Sequence, residues 1–289
     1  MPLDYERIKN WPIPEGRQEY SARDTILYAL GVGAAISNKL SPEELRFVYE
    51  KGLQALPTMA TILGSPEGFW MADPEAGIDL AKVLHGEQFL TIHKPLPAEG
   101  VVIGRETVDE IYDKGADKGA VMYCSRKLYS EDGELLATSG WSTFMRGNGG
   151  FGGTATGQPK PHPVPDDRPC DSSIDLISRP EQAVIYRLSG DWNPLHIDPA
   201  FAARGGFDVP ILHGMCSYGI AGRAVLQLLC NNDPSRLRAF NVRFAAPMFP
   251  GETTRTEVWL EGPGRAALRV RVLERDVIIL NNGYVEFDA

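Results

Sequence analysis

The segment "ILHGMCSYGIAGRAVLQLLC" (residues 211–230) decides the fold, because it is too long for a strand and its apolar residues are spaced as in a buried helix. Small residues fill its first two thirds, at Gly214, Ser217, Gly219, Ala221, Gly222 and Ala224. Each interior glycine costs about 1 kcal/mol of helix propensity relative to alanine. We therefore expect a sheet to approach the backbone of this helix closely.

Strand-like runs surround this helix and recur in the first half of the chain. "QAVIYRLSG" (182–190) alternates like a strand before the helix, and further runs follow it at 237–246, 252–260, 266–274 and 276–287. In the first half, "ALPTMATILG" (55–64) takes the place of the helix, and strand-like runs follow at 88–95, 100–111, 119–129 and 134–146. The order lacks βαβ alternation, so it predicts an α+β fold with two antiparallel sheets, each wrapped around a helix. Two such hot-dog repeats make a double hot-dog.

A linker divides the two halves. "RGNGGFGGTATGQPKPHPVPDDRP" (146–169) is rich in glycine and proline and poor in apolar residues. We predict an N-terminal hot-dog at 1–147, a linker at 148–170 and a C-terminal hot-dog at 171–289. "FLTIHKPLPAEG" parallels "FAAPMFPGE", and the stretch from Tyr20 to Asp24 parallels that from Tyr186 to Asp191.

The composition narrows the class of protein. The chain has 289 residues, of which 43% are hydrophobic and 23% charged, as in soluble globular enzymes. A net charge of −9 argues against a nucleic-acid surface, and four cysteines without CxxC spacing predict reduced thiols. Neither a signal peptide nor a run of about 20 apolar residues is visible, and "VEFDA" is not a peroxisomal signal. We expect a cytoplasmic protein without a membrane partner.

The segment "GDWNPLHIDP" (190–199) concentrates polar side chains in a rigid turn. Asn193 and Asp198 each precede a proline, which is the pattern of a helix N-cap followed by the first helical position. "PAFAARGG" then predicts a short helix ended by Gly205. Capping does not explain Asp191 and His196, which lie five residues apart across the turn. A turn of this kind can direct both side chains at one point.

A carboxylate and an imidazole that meet at one water form a general acid–base pair. His213 immediately precedes the long helix, whose N-terminus carries free N–H groups and about half a positive charge. Gly214 could therefore donate its N–H to a substrate oxygen, as an oxyanion hole requires, while His213 only packs or caps. In the first half Asp24 occupies the matching place without a partner histidine, so we expect that half to be catalytically silent.

Two other chemistries compete with this interpretation. Four side chains could hold zinc or iron: Asp191, His196, Asp198 and His213. The His-x-Asp pattern is a weak signal, so we favour catalysis without a metal. A nucleophilic triad is disfavoured, because no serine or cysteine lies in an elbow context.

The motif resembles a known family. "YRLSGDWNPLHIDPAFAARGGFDVPILHGMCSYGIAGRAV" is similar to the signature of MaoC-like, R-specific enoyl-CoA hydratases (hydratase 2). "YALGVGA", "KVLHGEQFLTIHKPLP" and "GGFGG" resemble the hydratase 2 domain of peroxisomal multifunctional enzymes type 2. The resemblance implies hydration of trans-2-enoyl-CoA to (3R)-3-hydroxyacyl-CoA in fatty-acyl-CoA metabolism such as β-oxidation. It implies acyl-CoA as substrate, no cofactor, a possible homodimer and a peroxisome as the alternative location.

The resemblance also implies roles for individual residues. The family's water-activating pair falls on Asp191 and His196, Asn193 shapes the same pocket, and the Gly214 N–H donates to the thioester oxygen. The implied substrate and CoA contacts are His85, Gly86, Lys114, Trp192, Pro194, Leu195 and Phe244, with Arg243 added as a phosphate partner by its charge alone. His85 could equally be a packed surface residue and Lys114 a solvated loop lysine.

The fold class allows other functions than hydration. A non-catalytic acyl-CoA-binding protein and a hot-dog thioesterase are the alternatives to the hydratase, since one fold hosts several functions.

The shortened helical segment "ALPTMATILGSPEGFW" (55–70) predicts unfilled apolar volume in the first half. We expect the acyl tail of the substrate to enter that volume, near Met59 and Ile62.

Overall fold

The computed structural model describes residues 2–36 and 41–289. Within them, ten strands form one antiparallel sheet. Their bounds are Gly16–Tyr20 (β1), Val83–Ile92 (β2), Gly100–Asp113 (β3), Ala120–Ser130 (β4), Leu135–Met145 (β5), Ser172–Ile177 (β6), Leu237–Phe244 (β7), Thr253–Leu260 (β8), Arg265–Val272 (β9) and Val277–Phe287 (β10). All eight strand-like runs predicted after the two helical segments are confirmed.

The sheet order shows that the chain is a repeat. The strands lie in the order β1-β3-β4-β5-β2-β7-β10-β9-β8-β6, so the order in the second half mirrors that in the first. Pairing of β2 with β7 joins the halves, with Glu87 opposite Arg243 and Thr91 opposite Ala239. The protein therefore has the α+β double hot-dog fold that the sequence predicts.

Six α-helices are found in the described residues: Tyr5–Lys9 (α1), Ala22–Gly31 (α2), Pro42–Leu45 (α3), Gln182–Tyr186 (α4), Pro199–Arg204 (α5) and Gly214–Leu229 (α6). The long helix is thus confirmed as α6, and the short helix before Gly205 as α5. The strand predicted at 182–190 is wrong, because this segment forms α4 and a 3-10 turn. The helix of the first half is reduced to one 3-10 helix, Pro57–Thr61.

Residues of the first half pack closely against the glycines of α6. A Cβ on Gly219 would overlap Val32, which follows α2, and a Cβ on Gly222 would lie 2.5 Å from the Thr58 methyl group. The expectation that a sheet approaches this face of α6 is therefore wrong at these two positions, where α2 and the 3-10 helix fill the space. Of the three glycines in α6, Gly214 is the one that faces the sheet, at Phe244 of β7.

Hydrogen bonds tie the two halves together around α2. The Gln182 amide donates to Leu30 O at 2.9 Å, the Cys216 thiol donates to Gly31 O at 3.2 Å, and Arg179 donates to Ala35 O at 2.9 Å. Side chains from both halves form one continuous core that includes Tyr28, Leu90, Phe240 and the buried face of α6. We call the face of the sheet toward α6 the inner face and the opposite one the outer face.

The residues between Met145 and Ser172, all of which are described, form neither helix nor strand. The start of this linker is anchored by Asp113, whose carboxylate accepts the N–H groups of Gly150 and Gly152 at 2.7 Å each. Across residues 2–36 and 41–289, we find no helix that is both long enough and apolar enough to cross a membrane.

Candidate active site

The catalytic turn is built by local backbone chemistry. Gly190 ends the 3-10 turn at φ 119°, a conformation that favours glycine, and places Asp191 at the surface. The Asn193 side chain then caps a 3-10 helix, Pro194–His196, by accepting the Leu195 N–H at 3.0 Å. The capping predictions for Asn193 and Asp198 are confirmed, since Asp198 accepts N–H groups at the start of α5.

Three of the predicted side chains meet at one point. Asp191, His196 and His213 each place one oxygen or nitrogen within 4.8 Å of those of the other two. The rings of His196 and His213 have centroids 3.8 Å apart with an interplanar angle of 31°. His196 is 9% exposed and His213 is fully buried, whereas Asp191 is open to solvent. This group of three, which we call the acid–base cluster, contains the pair singled out from the sequence.

Hydrogen-bond partners fix the form of both imidazoles. His196 Nδ1 lies 3.0 Å from Ile211 O, and a carbonyl only accepts, so Nδ1 carries the proton and Nε2 is free to accept. His213 Nε2 lies 3.2 Å from Asp191 O and donates to it in the same way. Burial lowers the pKa of His196 from its usual value of 6.5. Burial, assisted by the neighbouring His196, lowers the pKa of His213 to about 4. Both rings are therefore neutral at pH 7.

Gly214 stands at the first position of α6, directly after His213. Its N–H is among those that a helix leaves without an intrahelical partner, in the positive end of the helix dipole. A Cβ on Gly214 would lie 3.3 Å from Phe244 Cε1, and the Phe244 ring lies 4.7 Å from that of His85. The structure thus brings two predicted substrate contacts from different halves beside the N-terminus of α6.

A β-bulge in β2 separates the neighbours of His85. The register shifts between His85, which faces Thr143, and Glu87, which faces Ser142. A Cβ on Gly86 would lie 2.8 Å from the Ser142 hydroxyl, so a larger residue in this bulge would have to displace that hydroxyl. As a result His85 lies on the inner face with Phe244, while Glu87 and Arg243 lie on the outer face.

The other predicted contacts fall in different places. Trp192 is 57% exposed beside Asp191, while Pro194 and Leu195 form the 3-10 helix that carries His196. Lys114 follows β3, three strands from β2, or roughly 14 Å at about 4.8 Å per strand. Its ammonium donates to Gln158 Oε1 at 3.0 Å, so it holds the linker and is not brought to the acid–base cluster.

Sequence reasoning missed three residues near the cluster. Ile211 supplies the carbonyl that sets the His196 tautomer, and its only sequence signal is its place before "LHG". Tyr186 is 1% exposed and packs its ring 5.0 Å from that of His213. Arg187 lies with its guanidinium 4.4 Å from the Trp192 ring centroid. Both precede Asp191 in "YRLSGD", which is the one pattern that could have indicated them.

The acid–base cluster also has the donor types of a metal site. A carboxylate and two imidazoles within 4.8 Å could hold an ion, whereas Asp198 is committed to capping α5. Each ring has one nitrogen engaged by a backbone carbonyl. His213 Nδ1 is buried and has no hydrogen-bond partner among the residues described.

The first half carries no equivalent of the acid–base cluster at Asp24. Asp24 forms a capping box at the start of α2, where its carboxylate accepts the Ser21 N–H at 2.9 Å and the Ser21 hydroxyl at 2.6 Å. The proposed match of Tyr20 with Tyr186 is wrong, because Tyr20 ends β1 whereas Tyr186 ends α4. In the mirrored order β1 corresponds to β6, so α2, which follows β1, corresponds to α4, which follows β6. Tyr28 of α2 and Tyr186 of α4 have ring centroids 6.2 Å apart.

Both halves of the chain match known proteins. Residues 18–147 match the MFE-2 hydratase 2 N-terminal domain, and residues 158–282 match the MaoC like domain. The chain is 39% identical to enoyl-CoA hydratase 2, peroxisomal, of Arabidopsis thaliana, covering 95% of this chain and 92% of that protein. It is 41% identical to mouse peroxisomal multifunctional enzyme type 2, but spans only 37% of its length.

A solved structure extends the likeness to three dimensions. The crystal structure of a MaoC-like dehydratase from Phytophthora capsici superimposes with a TM-score of 0.86 at 35% identity. The superposition covers 98% of this chain and 99% of that one. Both halves of the chain and its overall fold are thus shared with these proteins. The chain belongs to the MaoC-like enoyl-CoA hydratase 2 family.

Proposed function

We propose that this enzyme adds water to trans-2-enoyl-CoA to give (3R)-3-hydroxyacyl-CoA, by syn addition. The observation that carries the proposal is the acid–base cluster, placed directly before the free N–H of Gly214. Hydration of a conjugated thioester needs a base that takes a proton from water and a hydrogen-bond donor to the thioester oxygen. The acid–base cluster and the Gly214 N–H supply these two groups side by side. The substrate places the enzyme in fatty-acyl-CoA metabolism.

The bound water is held between Asp191 and His196. Two hydrogen bonds of about 2.8 Å span up to about 5.6 Å, which exceeds the 4.8 Å limit on the cluster, so one water reaches both groups. The neutral Nε2 of His196 accepts a proton as the water oxygen bonds to Cβ of the substrate. The Asp191 carboxylate orients the water and stabilises the imidazolium. The proton is then returned to Cα on the same face, which completes the addition of H and OH.

Gly214 stabilises the charge that develops on the thioester oxygen. As the C–O bond forms at Cβ, electrons move through the enoyl system to the thioester oxygen. The Gly214 N–H at the start of α6 donates a hydrogen bond to that oxygen. Loss of one such donor typically costs about 10²–10³ in rate. The amide of Asn193 is held by its bond to the Leu195 N–H, which leaves the NH₂ group to donate toward the water.

We further propose that the reaction needs no metal or organic cofactor. The proton transfers above use only neutral His196, the Asp191 side chain and the Gly214 N–H. His213 supports them by packing on His196 and donating to Asp191 O. We also propose that the protein acts in the cytoplasm, with a peroxisomal location as the alternative, and that it forms a homodimer.

The decisive experiment is hydration of crotonyl-CoA, followed by loss of enoyl absorbance, with chiral analysis of the product. We expect the 3R alcohol, with the rate unchanged after dialysis against EDTA. A 3S product contradicts the assignment, and activity lost to EDTA and restored by one metal favours a metal centre. Release of free thiol would indicate a thioesterase, and binding without turnover an acyl-CoA-binding protein.

A further inference from the structure

His213 belongs both to the acid–base cluster and to the start of α6. Its backbone directly precedes Gly214, the first residue of the helix, and its side chain lies within the cluster. The imidazole is fully buried between two other rings, with centroid distances of 3.8 Å to His196 and 5.0 Å to Tyr186. Neither the proton transfers nor the contact to the thioester oxygen uses this imidazole directly.

The catalytic turn has few polar ties to the rest of the protein. In the part of the chain that the structure describes, two hydrogen bonds join residues 190–197 to residues distant in sequence. His196 Nδ1 donates to Ile211 O at 3.0 Å, and His213 Nε2 donates to Asp191 O at 3.2 Å. The second bond is therefore the long-range polar tie at the Asp191 end of the turn.

Stability does not explain a histidine at position 213. Its Nδ1 is buried and finds no hydrogen-bond partner among residues 2–36 and 41–289. An unpaired buried polar atom costs more free energy than one neutral hydrogen bond returns. An apolar side chain of similar volume would therefore make the folded state at least as stable, because Asp191 is open to solvent and its carbonyl can bond to water instead. A buried group that stability does not favour indicates a functional constraint.

That constraint is the spacing of two groups that act at the same time. Hydration needs the water at Cβ of the substrate while the thioester oxygen lies at the Gly214 N–H. Asp191 holds the water from the turn, and Gly214 holds the oxygen from α6, which is a separate element. The bond from His213 Nε2 connects the two elements through the residue next to Gly214. A displacement of about 1 Å between reacting groups can cost about 10² in rate.

We propose that His213 is a positioning residue that fixes the distance between the bound water and the oxyanion donor. Its Nε2–H holds the turn at Asp191 O, and its backbone leads directly into Gly214. It contacts no reacting atom, so its hydrogen bond affects kcat and not KM. This inference rests on the proposed function, because the two points that it aligns belong to that reaction.

Three substitutions at position 213 separate the hydrogen bond from the packing. His213→Gln carries an amide nitrogen as many bonds from Cα as Nε2 is, so it can still donate to Asp191 O. His213→Asn carries its nitrogen at the position of Nδ1 and does not reach that carbonyl, and His213→Leu has no donor. For crotonyl-CoA we expect the Asn and Leu variants to lose about 10² in kcat at unchanged KM, and the Gln variant to stay within about threefold of native kcat. His213→Leu should unfold at the native temperature or above, because it removes the unpaired Nδ1.

Tyr218→Phe is the matched control on the same helix. Tyr218 is fully buried, and its hydroxyl also donates to a backbone carbonyl, Phe240 O, at 2.9 Å. Its loss should lower the unfolding temperature and leave kcat unchanged, which is the opposite of the pattern expected for His213→Leu.

Loss of enoyl absorbance gives the rates, and thermal unfolding gives the stabilities. Native kcat in His213→Leu overturns the positioning role, as does a Gln variant that is as slow as the Asn variant. A fall of kcat together with the unfolding temperature in His213→Leu shows a merely structural role and also overturns it. The comparison of Asn with Gln decides the matter even where the Leu variant does not fold. Failure of the native enzyme to hydrate crotonyl-CoA overturns the proposed function instead, and this inference with it.

Discussion

A double-mutant cycle at Asp191 and His196 examines whether the two act as one unit. Asp191→Asn and His196→Gln keep the volume of each side chain, so neither opens a cavity in the turn. Each change alone should lower kcat by about 10²–10⁴, the range for a positioned acid–base group. Taking about 10³ for each, the loss corresponds to roughly 4 kcal/mol of barrier.

The geometry determines how the two losses combine. Because the cluster atoms lie within 4.8 Å, both groups act on a single water, and removing the second after the first has little left to disturb. The double variant should therefore lose about 10³ in kcat, as each single variant does, which gives a coupling energy of roughly 4 kcal/mol. Crotonyl-CoA hydration by absorbance gives the rates, and thermal unfolding checks the fold. A double variant that loses about 10⁶ would show independent action and refute the shared water.

Three further predictions concern the other half, pH and chain length. Asp24→Asn should leave kcat unchanged. It should lower the free energy of unfolding by about 1 kcal/mol, because it weakens the capping box with Ser21. A loss of kcat like that of the Asp191 and His196 variants would contradict the prediction that the first half is catalytically silent. Because burial lowers the pKa values of His196 and His213, kcat/KM should stay level as pH falls through 6.5, and an acidic limb at or above 6.5 would oppose neutral imidazoles. Below pH 6.5 the unfolded chain binds protons at these histidines that the folded chain does not bind, so the free energy of unfolding should decrease as pH falls. For His213, whose folded-state pKa is about 4, the decrease should be up to about 1.4 kcal/mol per pH unit between pH 6.5 and 4, as measured by denaturant unfolding. Ile62→Trp should lower the activity toward decenoyl-CoA far more than that toward crotonyl-CoA. Equal losses of activity on the two substrates would show that the acyl tail lies elsewhere.

The acyl-tail prediction now requires movement of side chains. Met59 is 2% exposed and Leu63 is 1% exposed, and both belong to the continuous core. The first half fills the space beside its shortened helix with its own residues, such as Val32 and Thr58 packed on α6. Ile62 is only partly buried at the edge of that core, which makes it the better position for the test.

Strands and the long helix were predictable where the pattern had a single physical meaning. In β8 and β9, buried residues recur at every second position over most of the strand, which is the period of a half-buried strand. The run at 182–190 was ambiguous, because Ala183 to Tyr186 is short, apolar and partly β-branched. Its conformation is set by tertiary contacts, since the Gln182 amide donates to Leu30 O from the other half.

The candidate site was predictable in part for the same reason. Asp191 and His196 lie on one rigid turn, so local chemistry alone placed them together. Adding His213 depends on contact between the turn and the start of α6, and the pairing of His85 with Phe244 depends on two strands from different halves. The bulge at Gly86, which sends Arg243 and His85 to opposite faces, has no signature in a single sequence.

The pairing of β2 with β7 has a consequence for how such a site can evolve. A symmetric pair of separate hot-dog chains must carry the same side chain at both of its equivalent positions. Here the equivalent halves share one chain, so the segments after α2 and α4 can differ in sequence, and the one after α4 carries Asp191. Covalent linkage also makes their association independent of concentration, because each half meets the other within the same molecule. One half is free to specialise in holding the substrate while the other retains the chemistry.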